Sequence, residues 1–197
     1  MGLTVQSTSA KASRNFRFAD SEILVALAGN PNVGKSTVFN ELTGMNQHTG
    51  NWPGKTVALA KGTARHQETD YTLVDLPGTY SLIANSAEEA IASEFICFQK
   101  PAVTIVVCDA TALQRNLNLV LQILQMTANV VVCVNLMDEA RKKKIEIDLE
   151  KLSELLQVPV VAASARSHQG LDALMDAVAQ LTEHPRTQIA CLDYPFV

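Results

Sequence analysis

Between an apolar run and an amphipathic one the chain reads Gly29-Asn-Pro-Asn-Val-Gly34-Lys35-Ser36, the stretch of the sequence with the most specific chemistry. Glycines at both ends let the backbone come close to a bound group, so that successive N–H groups at a helix start point into one concavity. Such a concavity binds phosphate. Lys35 adds a point charge for the β and γ phosphates, and the Ser36 hydroxyl is placed to ligate Mg²⁺. The spacing G-x-x-x-x-G-K-S is that of a phosphate loop, and it assigns Gly29, Asn30, Asn32, Val33, Gly34, Lys35, Ser36 and Thr37 to nucleotide contact.

Three later motifs follow in the order such a site needs. In "LVDLPG", Leu73 to Gly78, Asp75 ends an apolar run where it can hold Mg²⁺ through water, and the Gly78 N–H can meet a γ phosphate. In "NLMD", Asn135 to Asp138, the carboxylate of Asp138 can accept two hydrogen bonds from guanine N1–H and N2–H₂, donors that adenine lacks in that arrangement. Guanine is therefore the expected base, with Asn135 and Met137 beside it. In "SAR", Ser164, Ala165 and Arg166 would present backbone N–H groups to guanine O6.

These residues need strands that end together. Six apolar runs, "ILVALAG", "TVALAKGTAR", "YTLVDLPG", "VTIVVCDA", "NVVVCVNL" and "VPVVAASA", alternate with helical stretches near 34–43, 87–99, 115–127, 137–157 and 169–182, the fourth broken near 144–148. Runs apolar on both faces are what strands between two helical layers require. The expected fold is α/β, a doubly wound, mostly parallel six-stranded sheet whose strand ends carry the ligand. Residues 1–21 read as a flexible N-terminal extension, 22–183 as one domain and 184–197 as a tail leading elsewhere. The 197 residues, 47% hydrophobic and 18% charged with a formal net charge of -4, are those of a soluble globular domain and exclude a basic nucleic-acid binder. Four scattered cysteines without C-x-x-C spacing read as reduced thiols, and no run reaches the roughly 18 to 20 apolar residues that span a bilayer.

Through GNPNVGKST, DLPG, N-x-x-D and SAR the chain resembles the Ras-like small GTPases, within them the translation-factor-related branch. "TGNWPGKTVALAKG" from Thr49, "DLPGTYSL" from Asp75 and "NLMDEARKKKIEID" from Asn135 are similar, more closely, to the G domain of the bacterial ferrous iron transport protein FeoB family, over about residues 22 to 182. The resemblance implies GTP hydrolysis to GDP and phosphate, with slow intrinsic turnover because Thr79 stands where Ras-like enzymes carry a water-orienting Gln. It implies two switches, 45–56 and 76–92, with Thr56 ligating Mg²⁺ beside Ser36 and Asp75. It also implies a K⁺ held by Asn32 with carbonyls of Gly50 and Trp52, so that Lys35, Thr56, Asn32 and Gly78 form the catalytic set. Leu136 replaces the lysine of N-K-x-D, which suggests weaker binding and fast exchange. Partners implied are a guanine nucleotide and the helical and transmembrane domains that follow in that family, at the cytoplasmic face of the bacterial inner membrane; a homo-oligomer stays open.

A free-standing Era- or Der-like RNA- or ribosome-associated GTPase is the alternative, though it would want N-K-x-D, D-T-P-G and a basic appended domain. A nucleotide-binding switch without useful hydrolysis is a third reading, raised by Thr79. Trp52 fits surface packing as well as a switch, Arg141 to Lys144 a solvated helix end, His48 and His66 no iron site, and Met126 and Met137 packing.

Overall fold

A computed structural model of the chain describes residues 18–19, 21–45, 47–51, 57–83 and 86–189. Seven strands, β1 (Ile23–Gly29), β2 (Gln47–Asn51), β3 (Ala58–His66), β4 (Thr69–Asp75), β5 (Val103–Asp109), β6 (Val130–Asn135) and β7 (Val160–Ala162), form one sheet in the order β2-β3-β4-β1-β5-β6-β7. β1 pairs in parallel with both β4 and β5, and β6 and β7 continue the parallel set. Among the described strands β3 alone runs against the others, pairing antiparallel with both β2 and β4. The helices are α1 (Lys35–Thr43), α2 (Ala87–Glu94), α3 (Leu113–Leu124), α4 (Met137–Lys142), α5 (Leu149–Leu156) and α6 (Leu171–Glu183). α2 runs on into a π turn, Phe95–Gln99, and the break between α4 and α5 ends at Asp148, whose carboxylate caps α5 by accepting from the Lys151 N–H at 2.9 Å.

Alternate residues of each central strand enter two separate cores, as the period of two demands. Leu24, Ala26 and Ala28 of β1 face Ile91 of α2 and Leu119 and Ile123 of α3. Val25 and Leu27 face Phe39 of α1 and Leu174 and Val178 of α6. β1, β5 and β6 are thus buried on both sides, and the doubly wound sheet is confirmed. Cys108 and Cys133 are buried free thiols; loss of solvation pushes Cys133 up to about 12 and raises Cys108 as well.

The expected strand count was six, and the sheet has seven. The additional strand is β2, which pairs with β3 from Gln47↔Gly62 to Asn51↔Ala58 in a stretch expected to be loop. "QHTGN" has no apolar alternation, so its pairing comes from the free edge of β3 rather than from local preference.

Ahead of β1 the chain is tied to the sheet. The Glu22 carboxylate accepts from Lys61 Nζ at 2.8 Å and from the Thr72 hydroxyl at 2.9 Å. Partial burial pushes this carboxyl up, but the hydrogen bonds from Lys61, Thr72 and the Ala19 N–H together outweigh it and hold it below its ordinary value. The Phe18 ring meets Phe95 edge-on at 5.8 Å between centroids, with Lys61 Nζ 5.0 Å above it. The rest of the expected N-terminal extension lies outside the described residues.

Gly170, which starts α6 after β7, has φ +79°, and a Cβ there would lie 2.0 Å from the Ala162 carbonyl oxygen. Gly170→Ala is expected to lower unfolding free energy by at least about 2 kcal/mol, read from urea melts; an unchanged midpoint would show that the turn relaxes freely.

Candidate nucleotide-binding site

Four loops meet at one edge of the sheet because the parallel strands all end there. The phosphate loop joins β1 to α1. Gly34 is its pivot, with φ +80°, and a Cβ added there would sit 2.5 Å from Asn135 Nδ2. Asn32 also takes a left-handed conformation, φ +67°. The loop encloses a cavity of about 390 Å³ lined by Asn30, Asn32, Gly34, Lys35, Ser36 and Thr37, closed on one side by Pro31 and Gly78. Pro31 is the residue the sequence reading missed: the Gly78 backbone stacks on it, a Cβ at 78 falling 3.2 Å from Pro31 Cα. Nothing in the motif's spacing marks position 31 for that contact.

Asp75, at the end of β4, is where the sequence placed it. Its carboxylate pairs with Lys35 Nζ and accepts from the Ser36 hydroxyl at 3.0 Å. The groups expected to meet phosphate and Mg²⁺ thus converge on one carboxylate. A hydroxyl and a carboxylate are hard oxygen donors of the kind Mg²⁺ takes, so the residues fit that ion. Asn30 is 3% exposed and neither its side-chain oxygen nor its nitrogen has a hydrogen-bond partner among the described residues, an expensive arrangement unless the cavity it lines takes a polar ligand. The chain after β4 is sewn to the phosphate loop: the Leu76 N–H donates to Leu27 O at 2.9 Å and the Thr79 N–H to Gly29 O at 3.2 Å.

Asn135, at the end of β6, joins the loops. Its Nδ2 donates to Val33 O at 3.1 Å, and its Oδ1 accepts from the Ala165 N–H at 3.1 Å. One buried amide therefore spans the phosphate loop and the "SAR" turn. The Ser164 hydroxyl accepts from the Asp138 N–H at 3.1 Å, and the Met137 N–H donates to Ala163 O at 3.2 Å, so the two base-side motifs form a single surface. The Asp138 side chain is half-buried and accepts no hydrogen bond from the described residues, while Arg166 is exposed. Leu136 is left-handed, φ +63°, and its Cδ2 lies 3.9 Å from the position of a Gly34 Cβ, so an apolar side chain flanks the phosphate loop where N-K-x-D proteins put lysine.

Gly50 lies in β2 opposite Leu59. Trp52 and Thr56 lie outside the described residues. Among the described residues no cluster of three or more His, Cys, Asp or Glu could hold a metal, and His66 pairs with Asp176 at 2.7 Å.

Beyond geometry, the family model described as ferrous iron transport protein B matches residues 23–178. The chain belongs to the ferrous iron transport protein B family. It is 41% identical over 161 residues to the Fe(2+) transporter FeoB of Salmonella typhimurium, covering 80% of this chain and 21% of that protein. It therefore spans about a fifth of the length of such relatives. Among solved FeoB structures, the G-domain from Methanococcus jannaschii matches with TM-score 0.73 and 42% identity over 82% of this chain and 98% of that one. The cytosolic domain of the T. maritima protein in a GDP form matches with TM-score 0.83 and 37% identity over 89% of this chain and 68% of that one. Similarity at this level fixes the fold as that of FeoB G domains. Among the described residues no helix is long and apolar enough to cross a membrane.

Asn135→Ala would leave Val33 O and the Ala165 N–H without their side-chain partner. A loss of roughly 1 to 3 kcal/mol in unfolding free energy is expected in the ligand-free chain, measured by chemical denaturation. An unaltered midpoint would mean that the two loops do not depend on this amide.

Proposed function

We propose that the chain binds GTP and hydrolyses it to GDP and phosphate, as the regulatory G domain of a ferrous iron transporter. The observation that carries this reading is the Asn135 amide joining a phosphate cavity to a turn and carboxylate suited to guanine. Membership of the family supports the transport context, and solved relatives described in GDP forms support the nucleotide.

Asp138 reads guanine through its two ring donors, and the N–H groups of Ala165 and its neighbours meet the exocyclic oxygen. Lys35 leaves Asp75 for the β and γ phosphates and neutralises charge that builds on the leaving oxygens. Gly78, already at the cavity wall, offers its N–H to the γ phosphate. Thr79 has no side-chain amide with which to orient water, and its N–H is engaged by Gly29 O, so backbone groups place the attacking water and turnover is slow. Mg²⁺ held by Ser36 and Thr56, and by Asp75 through water, would neutralise the phosphate oxygens. K⁺ held by the Asn32 side-chain oxygen and the Gly50 and Trp52 carbonyls would supply the positive charge that an arginine supplies in other GTPases. The remaining four-fifths of relatives' length fits following helical and transmembrane domains, which would set this domain at the cytoplasmic face of the membrane.

Asp138→Asn exchanges an acceptor for a mixed group and is expected to shift preference from guanine toward xanthine by roughly 2 to 4 kcal/mol in titrations of labelled GDP and XDP; unchanged GDP affinity would remove Asp138 as the base reader.

Exchanging Na⁺ for K⁺ at constant ionic strength is expected to raise GTP turnover at least about tenfold, and Asn32→Ala to abolish that difference. Equal rates in the two salts would reject the monovalent cation and point to an arginine supplied by a partner.

A further inference from the structure

With no side-chain amide at position 79, the placing of water falls to the backbone after Gly78, and that backbone must itself be held. Its near end is fixed where the Thr79 N–H meets Gly29 O. Its far end is fixed on α3. Gln122 Oε1 lies 2.7 Å from the Leu82 backbone nitrogen and 3.3 Å from the Ser81 hydroxyl. A backbone N–H can only donate, so the atom facing it is the amide oxygen. Two turns earlier on the same face of α3, the Arg115 guanidinium carbon sits 4.6 Å from the centre of the Tyr80 ring. Tyr80 and Leu82 are thus both anchored on α3, at Arg115 and at Gln122. Leu82 is buried in the core that also holds Leu119, one turn above Arg115.

We infer that Gln122, assisted by Arg115, is a positioning residue for GTP hydrolysis: it holds residues 79–82 so that Gly78 keeps its place at the phosphate cavity. The inference rests on the hydrolytic reading above. Among the described residues Gln122 neither lines the cavity nor hydrogen-bonds the base-side loops, so its loss acts on catalysis and not on nucleotide binding. Both of its contacts use the oxygen, which makes an unusual substitution pattern: Gln122→Glu keeps the acceptor, whereas Gln122→Leu keeps the size and loses it.

The experiment measures steady-state GTP hydrolysis with Mg²⁺ and K⁺, labelled GDP affinity and thermal melting for the wild-type chain, Gln122→Leu and Gln122→Glu. Gln122→Leu is expected to lower kcat about tenfold or more with KM and GDP affinity within about twofold of wild type, and Gln122→Glu to stay within about threefold of wild-type kcat. Wild-type or faster turnover in Gln122→Leu overturns the inference while leaving GTP hydrolysis standing. So does a loss shared equally by Gln122→Glu, or one matched by lost GDP affinity and a lowered melting temperature, because either marks a packing residue. Absence of hydrolysis in the wild-type chain, with labelled GDP still bound, overturns both the inference and the hydrolytic reading.

Discussion

Everything at the nucleotide edge depends on β1 lying between two parallel neighbours. Pairing with β4 sets Leu27 opposite Asp75, and pairing with β5 sets Gly29 opposite Val107. The stagger continues outward, with Asp109 opposite Asn135 and Val134 opposite Ala162. Five parallel strands therefore stop at one edge, each releasing its chain where the next loop needs it. A slip of one residue would turn every side chain of a strand to the other face and separate Lys35 from Asp75. Burial of β1, β5 and β6 on both sides makes such a slip costly, which is how apolar residues far from any ligand determine the site's geometry.

Against that rigid frame, the ligand-binding groups are held by few and specific polar contacts. Asn135 ties the phosphate loop to the "SAR" turn, Asp75 gathers Lys35 and Ser36, and Gly29 O takes the Thr79 N–H. These contacts are pre-formed among the described residues, so binding need not assemble the site from separate loops. Asn30 is the exception, a buried amide without a hydrogen-bond partner among the described residues, and it lines the cavity where a polar ligand would restore what burial removed.

The strands and helices that build the frame were legible because their signals are local and redundant. "TIVVCDA" and "VVVCVN" are apolar on both faces and became β5 and β6, and the break read near 144–148 separates α4 from α5. That the motif residues meet at one edge of the sheet was legible for another reason: groups suited to phosphate, a hard cation and guanine recur at fixed spacing after strands. β2 was not legible, since "QHTGN" prefers no strand and pairs only because β3 presents an open edge. Nor was the Gly78 contact with Pro31, or the Gln122 anchor of Leu82, both of which join segments about 40 residues apart or more through atoms no pattern marks. Asn135 lies between these cases: its place in the motif was read, while its role as a bridge between two loops needed the structure.

The central claim is that this edge of the sheet selects a guanine nucleotide through one carboxylate and one turn. Calorimetric titration of the unmodified chain with GDP and with ADP, each with Mg²⁺, tests it most directly. The account expects GDP to bind at least about a hundredfold more tightly, in keeping with a site whose polar groups go unpaired against the wrong base. Comparable affinities for the two would contradict it.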